Sequence, residues 1–544
     1  MTTKESVIKR LAIAFCMMMI VTAFGGCLGE GKTPEKKTIL RAGFAWPTYI
    51  DPAEGSDYSS STALCNLYDP LVFPTETEIK PWVAKNWDVS SDGKVWTFYI
   101  NEGIKFHSGR ELTAKDVAFS MERLLTIGRG FSYIYAPYIK SSNAVDKYTV
   151  KFTLDKPFGP FLSSLVRLYI VDKEEVLSHI KTPGAYGEYG DFAMEWLLTH
   201  DAGSGPYKVK DVKLEEYVYM ERFKDYWKEM VSNAPDEMRL LALASPPTER
   251  TLLMNRELEI SSQWLPEEIL RSVDRIEGID VASIPAGGSL YLMMHTKKSP
   301  LDDIHVRKAI SYAFDYETVV RYIFPGSPSA KGPIPSIILG WSSDVPVYYQ
   351  DLAKAEEELK ASKYWPGITK HPENYQIELH WCAEVPAEEK VAVVFAECME
   401  KIGLITSVVK TPWLKMVEEM GDQETSPHIV VVYVSSHYPE AGSILESKYH
   451  SKSALSWEQN EWLLSDEIDM MIEDALSTID QEARFAKYGE IQWKIMELCP
   501  TLMVCEQTMK FAYQTYVKWP AGEGIYIPVM GYAIDGRRIQ ILPH

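Results

Sequence analysis

The alternation of apolar and polar residues is most legible in the second half of the chain. Tyr375, Ile377, Leu379 and Trp381 alternate with polar neighbours, the period of a half-buried strand. Pro386 to Ile402 then carries apolar residues at helical spacing, and Gly403 supplies a stop. Leu404 to Val409 is a second β-rich run. Thr411-Pro412 predicts the start of another helix, with a capping hydroxyl and a proline in the first turn, and Gly421 predicts its end. His428 to Val434 is nearly continuous in valine, as a strand covered on both faces is. This βαβαβ order predicts a parallel sheet with right-handed crossovers. Ligands of such open sheets lie beyond the carboxyl ends of the strands, which selects Ser435, Ser436, His437 and Tyr438 after the third strand and Cys382 to Glu384 after the first.

The other end of the chain carries a different pattern. Lys4, Lys9 and Arg10 precede an apolar run from Leu11 to Phe24, long enough for the core of an export signal and short for a membrane span. The run ends in Gly25-Gly26-Cys27, similar to a lipobox, so residues 1–26 are read as a signal peptide and Cys27 as the lipidated residue. Phe24 departs from the bacterial lipobox, and an uncleaved anchor is the alternative. Residues 27–37, rich in Gly, Pro, Glu and Lys, read as a linker. Gly26 to Thr33 matches the letters of a phosphate-binding loop. Cleavage before Cys27 would remove its first glycine, and Pro34 with the charged residues around it leaves no helix to carry the lysine.

Charge narrows the partners. The chain has 544 residues, 46% of them apolar, and a formal charge of −20. Without residues 1–26, 53 basic residues face 75 acidic ones, a charge of −22. Such a body lacks the basic footprint of a nucleic-acid binder, and an anionic membrane surface would repel it unless a covalent tether held it there. Five cysteines beyond Cys27 form no CxxC pair, the 11 histidines are scattered, and no HExxH, GxSxG or EF-hand loop occurs. No metal site, cofactor or catalytic group is predicted.

Asp92-Gly93-Lys94-Val95-Trp96-Thr97-Phe98, then Gly103 to Gly109 around His107, then Leu112 to Ser120, closely resembles the signature of family 5 extracellular solute-binding proteins, the peptide and nickel group. Thr113 with Asp116 forms a variant capping box, and Val117, Met121, Leu124 and Leu125 share one face, so the signature reads as structural and His107 as a hydrogen-bonded turn residue. Asp51-Pro52, Leu67 to Leu71, Gly203 to Lys208, Asp225-Tyr226-Trp227, Val306 to Ile310, Pro333-Ile334-Pro335 and Asp466 to Asp469 extend the resemblance along nearly the whole chain.

The resemblance implies an α/β, class II periplasmic-binding-protein fold: two lobes joined by a hinge, with an inserted third domain. Domain I would comprise 38–58, 203–288 and 506–544, domain II 59–202, and domain III 289–505. It implies a monomeric, extracytoplasmic substrate-binding component of an ABC importer, held by lipidated Cys27 on the outer face of the cytoplasmic membrane and docking permease subunits. The ligand would be a peptide, an oligosaccharide or a related polar molecule. A receptor-coupled sensor and a nickel or metal-chelate binder are the alternatives. Peptide-binding members carry an aspartate for the ligand's ammonium where this chain has His437, which implies weakened amine recognition. Tyr58, Gln263, Trp264, Tyr291, Trp381, Tyr433, Ser435, Ser436 and His437 are the predicted ligand contacts, the aromatic ones as stacking platforms.

Overall fold

Strand Ile39–Phe44 lies parallel to Glu237–Ala242, and Tyr217–Arg222 and Tyr207–Lys213 continue the same four-stranded sheet in antiparallel fashion. The computed structural model describes residues 37–44, 49–243 and 245–544. The predicted signal, Cys27 and the linker through residue 36 lie outside the described residues.

Between the first and second segments of that sheet the chain builds an inserted lobe. Its own antiparallel sheet runs Ala84–Val89, Val95–Ile100, Thr149–Leu154, Ile139–Ala144. Trp96, Phe98 and Ile100 alternate inward and are buried, and helix Ala114–Ile127 covers that face through Val117, Met121 and Leu124. The capping box forms as predicted: the Asp116 carboxylate accepts the backbone N–H of Thr113 at 2.9 Å. His107 is held by Asp201 and by the carbonyl of Gly205 at 3.0 Å, so its role is to fix the turn. A bidentate pair of Arg123 with Asp51, 2.6 Å on each arm and both 1% exposed, ties this lobe to the chain's beginning.

The third lobe is a five-stranded sheet built from β1 (Ile279–Met294), β2 (Ile377–Cys382), β3 (Thr406–Thr411), β4 (Ile429–Ser435) and β5 (Thr501–Gln514), in the order β3-β2-β4-β1-β5. Strand β2 pairs in parallel with both β3 and β4, with α1 (Pro386–Lys401) and α2 (Trp413–Met420) as the crossovers. The predicted βαβαβ unit is therefore present. Val430, Val432 and Val434 pack on one side of β4 and Ile429 and Val431 on the other, which explains its unbroken apolar run. Two local expectations need correction. Leu404 is buried but precedes the strand, because Gly403 at φ +78° turns the chain there and pairing begins at Thr406. Thr411 does not cap α2. It closes β3, and its hydroxyl bonds Nδ1 of His380 at 3.0 Å, so Pro412 takes the cap position.

Strands β1 and β5 also reach the first sheet: Tyr513 on β5 bridges Ile260, which bridges Ala42. Their antiparallel register breaks between Pro285 and Ser289, and a second time between Leu290 and Tyr291. Gly287 sits in the break at φ +69°, and a Cβ on Gly288 would lie 2.4 Å from Ser435 Oγ and 2.6 Å from the Val434 carbonyl. Only glycine fits at 288, so the two strands that cross between lobes are bulged at their crossing.

Candidate functional site

The carboxyl ends of β2, β3 and β4 converge on one edge of the third lobe. After β2, the Cys382 N–H donates to Glu388 Oε2 at 2.8 Å, and Glu384 accepts from the Trp413 N–H, the first residue after β3's turn, at 3.0 Å. After β4, Ser436 N–H donates to the Gly287 carbonyl at 3.1 Å, and Ser435 Oγ lies 3.3 Å from Gln507 on β5, so the segment leans on the bulge. The Ser436 hydroxyl is spent on the Tyr438 carbonyl and is buried.

His437 follows, and it meets the inserted lobe. Its N–H donates to Ser443 Oγ at 2.8 Å, and its carbonyl accepts Nε of Arg167 at 2.7 Å. Tyr133, also on the inserted lobe, stands edge-on to its ring with centroids 5.2 Å apart. Nε2 of His437 pairs with Glu458 Oε1 at 3.2 Å, and 15% and 13% of the two side chains stay open. Burial alone would raise the Glu458 carboxyl. The His437 imidazole, by charge and hydrogen bond, outweighs burial with help from the Ser447 hydroxyl and Lys448, and holds the group below its ordinary value. Glu458 is therefore an ionised carboxylate, and its Oε2 makes no hydrogen bond among the described residues. The Glu458 side chain is presented by a single helical turn, Trp457–Gln459, whose Trp457 crosses Trp413 at 74° with centroids 5.1 Å apart.

Tyr58 opens the buried helix Tyr58–Leu67, stacks on Phe44 at 6.2 Å and leaves its buried hydroxyl without a partner among the described residues. Gln263 Oε1 is likewise buried and unpartnered, and Trp264 is 50% exposed. Tyr526, absent from the sequence-based candidates, adds another such hydroxyl, and Tyr58 is close enough to raise its pKa further beyond the effect of burial. Buried polar atoms left open in this way call for a partner.

Two predicted platforms, Tyr291 and Trp381, are core residues instead, and a third, Tyr433, is half-buried against the core. Tyr291 is fully buried, donates to the Pro333 carbonyl at 2.7 Å and lies beneath Lys448, 4.6 Å from its centroid. Trp381 is 3% exposed within the core behind the sheet. Tyr433 points to that same side, against Phe324 at 6.3 Å. Strand alternation turns these rings into the sheet faces, which leaves Tyr291 and Trp381 no open face for a ligand and Tyr433 a partial one. Sequence reasoning missed Glu458, Tyr133, Arg167, Trp413 and Trp457. The only available signal for Trp413 was its position after a strand end, and Trp457 and Glu458 had none.

Glu388, at the start of α1, is 2% exposed and has the Cys382 N–H as its hydrogen-bonded neighbour. Burial pushes its carboxyl up to about 8 from an ordinary 4.5. Between those values the folded protein holds a proton that the unfolded chain has lost. Stability is thus complete below the unfolded value and falls, at about 1.4 kcal/mol per pH unit, as pH rises toward the folded one. Glu388→Gln should therefore unfold a few degrees above the natural protein at pH 8.5 and no higher at pH 5. Thermal scans at the two pH values check this, and equal midpoints at pH 8.5 would contradict it.

Lobes joined by crossing strands that bulge at one point, with polar groups gathered where the lobes meet, define a solute-binding protein of the periplasmic class. Residues 78–456 match the family described as bacterial extracellular solute-binding proteins, family 5 Middle. The chain belongs to that family and is the extracytoplasmic substrate-binding component of an ABC importer. It is 26% identical over 512 residues to the probable D,D-dipeptide-binding periplasmic protein of Escherichia coli K12, covering 92% of this chain and 94% of that one. Among solved structures, an ABC transporter substrate-binding protein of Listeria monocytogenes superposes with a TM-score of 0.80 at 21% identity, covering 94% of this chain and all of the other. The Helicobacter pylori periplasmic binding protein in complex with the peptide STSA does so at 0.75 and 23%, covering 93% and 99%. No helix among the described residues is long and apolar enough to cross a membrane.

Proposed function

We propose that the protein captures a peptide-type ligand by its free ammonium group, with Glu458 as the acceptor and His437 orienting it. The observation that carries this reading is the His437–Glu458 pair, 3.2 Å apart. An ammonium leaving water needs a charged, hydrogen-bonding partner. The aspartate expected at position 437 is histidine, but the carboxylate is returned to the same corner from Glu458, so weakened amine recognition does not follow from the substitution. The names of the Escherichia coli relative, a D,D-dipeptide binder, and of the Helicobacter pylori complex with a peptide support a peptide-type ligand.

In this reading Tyr58, Gln263, Trp264 and Ser435 contribute from the first lobe and the bulge. Domains I, II and III, divided at 58/59, 202/203, 288/289 and 505/506, close about Gly287-Gly288. The closed form docks on the permease as a monomer tethered through lipidated Cys27. The crossed Trp413 and Trp457 rings are not coplanar, which disfavours them as a sugar platform. Native mass spectrometry of freshly purified protein is expected to find bound species separated by amino-acid residue masses. Hexose increments would replace the reading with an oligosaccharide.

A further inference from the structure

Tyr133 combines two properties that an ordinary surface residue does not. Its ring is 46% exposed and its hydroxyl meets no hydrogen-bond partner among the described residues. Yet the ring is walled in by His437 of the third lobe at 5.2 Å and by Phe131 at 6.4 Å, with the Arg167 guanidinium 4.6 Å above the Phe131 ring. A side chain half open to solvent that also stands edge-on to His437 of the third lobe faces the space between the two lobes.

The charges around that space are unequal in their needs. Arg167 is 1% exposed and makes no ion pair among the described residues. It donates to the carbonyls of His437 and Met530, at 2.7 and 2.9 Å, and leaves Nη2 without a partner. A guanidinium without a carboxylate partner among the described residues, stacked on Phe131 beside Tyr133, favours an electron-rich atom nearby.

We infer that Tyr133 is a ligand-contact residue, its hydroxyl donating to an oxygen of the molecule held between the inserted and third lobes. The inserted lobe then forms one wall of the binding site, and Arg167 acts as a positioning residue that ties this wall to His437. A bound ligand bridges the inserted and third lobes directly. This rests on the inter-lobe site of the proposed function, but its test separates from the amine reading.

Tyr133→Phe keeps the ring and removes the donor. Isothermal titration with trialanine should give binding about 3- to 10-fold weaker than the natural protein, the effect of one neutral hydrogen bond. Thermal unfolding should be unchanged. Trialanine binding equal in the two proteins overturns the inference and leaves the amine reading intact. Should maltotriose bind in place of trialanine, and more weakly to Tyr133→Phe, the amine reading fails and the Tyr133 contact stands. Equal maltotriose binding, or binding of neither probe to the natural protein, overturns both.

Discussion

Glu458→Gln should weaken trialanine binding by about 10- to 100-fold, the range expected when a charge-assisted hydrogen bond is removed from a site shielded from water. Glutamine preserves the shape and still accepts from Nε2 of His437 through its amide oxygen, so the corner keeps its geometry and loses its charge. The loss should therefore appear in affinity, with little change in unfolding. Glu458 is held ionised by His437, Ser447 and Lys448 against its burial, so the natural protein offers the ligand a carboxylate where the variant offers a neutral amide. A glutamine variant that binds trialanine like the natural protein would show that the ammonium sits elsewhere.

The second large effect concerns stability. Lys448 and Glu461 form an ion pair with both side chains fully buried, and Thr501 donates a further hydrogen bond to the same carboxylate. Burial pushes the Lys448 ammonium down and Glu461 pushes it back up. Lys448 also lies over the rings of Tyr291 and Tyr449, at 4.6 and 5.1 Å. Lys448→Met leaves a buried carboxylate with the Thr501 hydroxyl but no counter-charge, which should cost about 3–5 kcal/mol. Adding Glu461→Gln removes that stranded charge and should restore most of the loss, because a buried pair contributes little net stability over neutral residues of similar size. Urea unfolding of the two single variants and the double variant checks this. Strictly additive losses would mean the two groups do not depend on each other.

Much of the third lobe was legible because its signals are local. The valine run of β4, the strand period ending at Trp381 and the helix between Pro386 and Ile402 each occupy one short stretch, and their order alone dictates a parallel sheet. The capping box at Thr113 and Asp116 and the structural role of His107 were legible for the same reason. The errors arose where a residue's partner is distant in sequence. Thr411 looks like a cap until His380, on the neighbouring strand, takes its hydroxyl. Tyr291 and Trp381 look like platforms until packing on the two faces of the sheet buries them. Glu458 is the clearest case. It stands twenty-one positions after His437 in a stretch without apolar period, and only the fold of the segment from Ala441 onward returns it to the imidazole. A missing aspartate could be read from one strand end, but its replacement could not.

The alignment of function with a single carboxylate makes the account open to one direct comparison. Isothermal titration of trialanine and N-acetyl-trialanine against the natural protein and Glu458→Gln measures whether the ligand's ammonium and this carboxylate recognise each other. The account predicts that acetylation weakens binding to the natural protein at least about 10-fold and has little further effect on the variant, since each change removes the same charge-assisted contact. Tight binding of the acetylated peptide to the natural protein, equal to that of the free peptide, would contradict it.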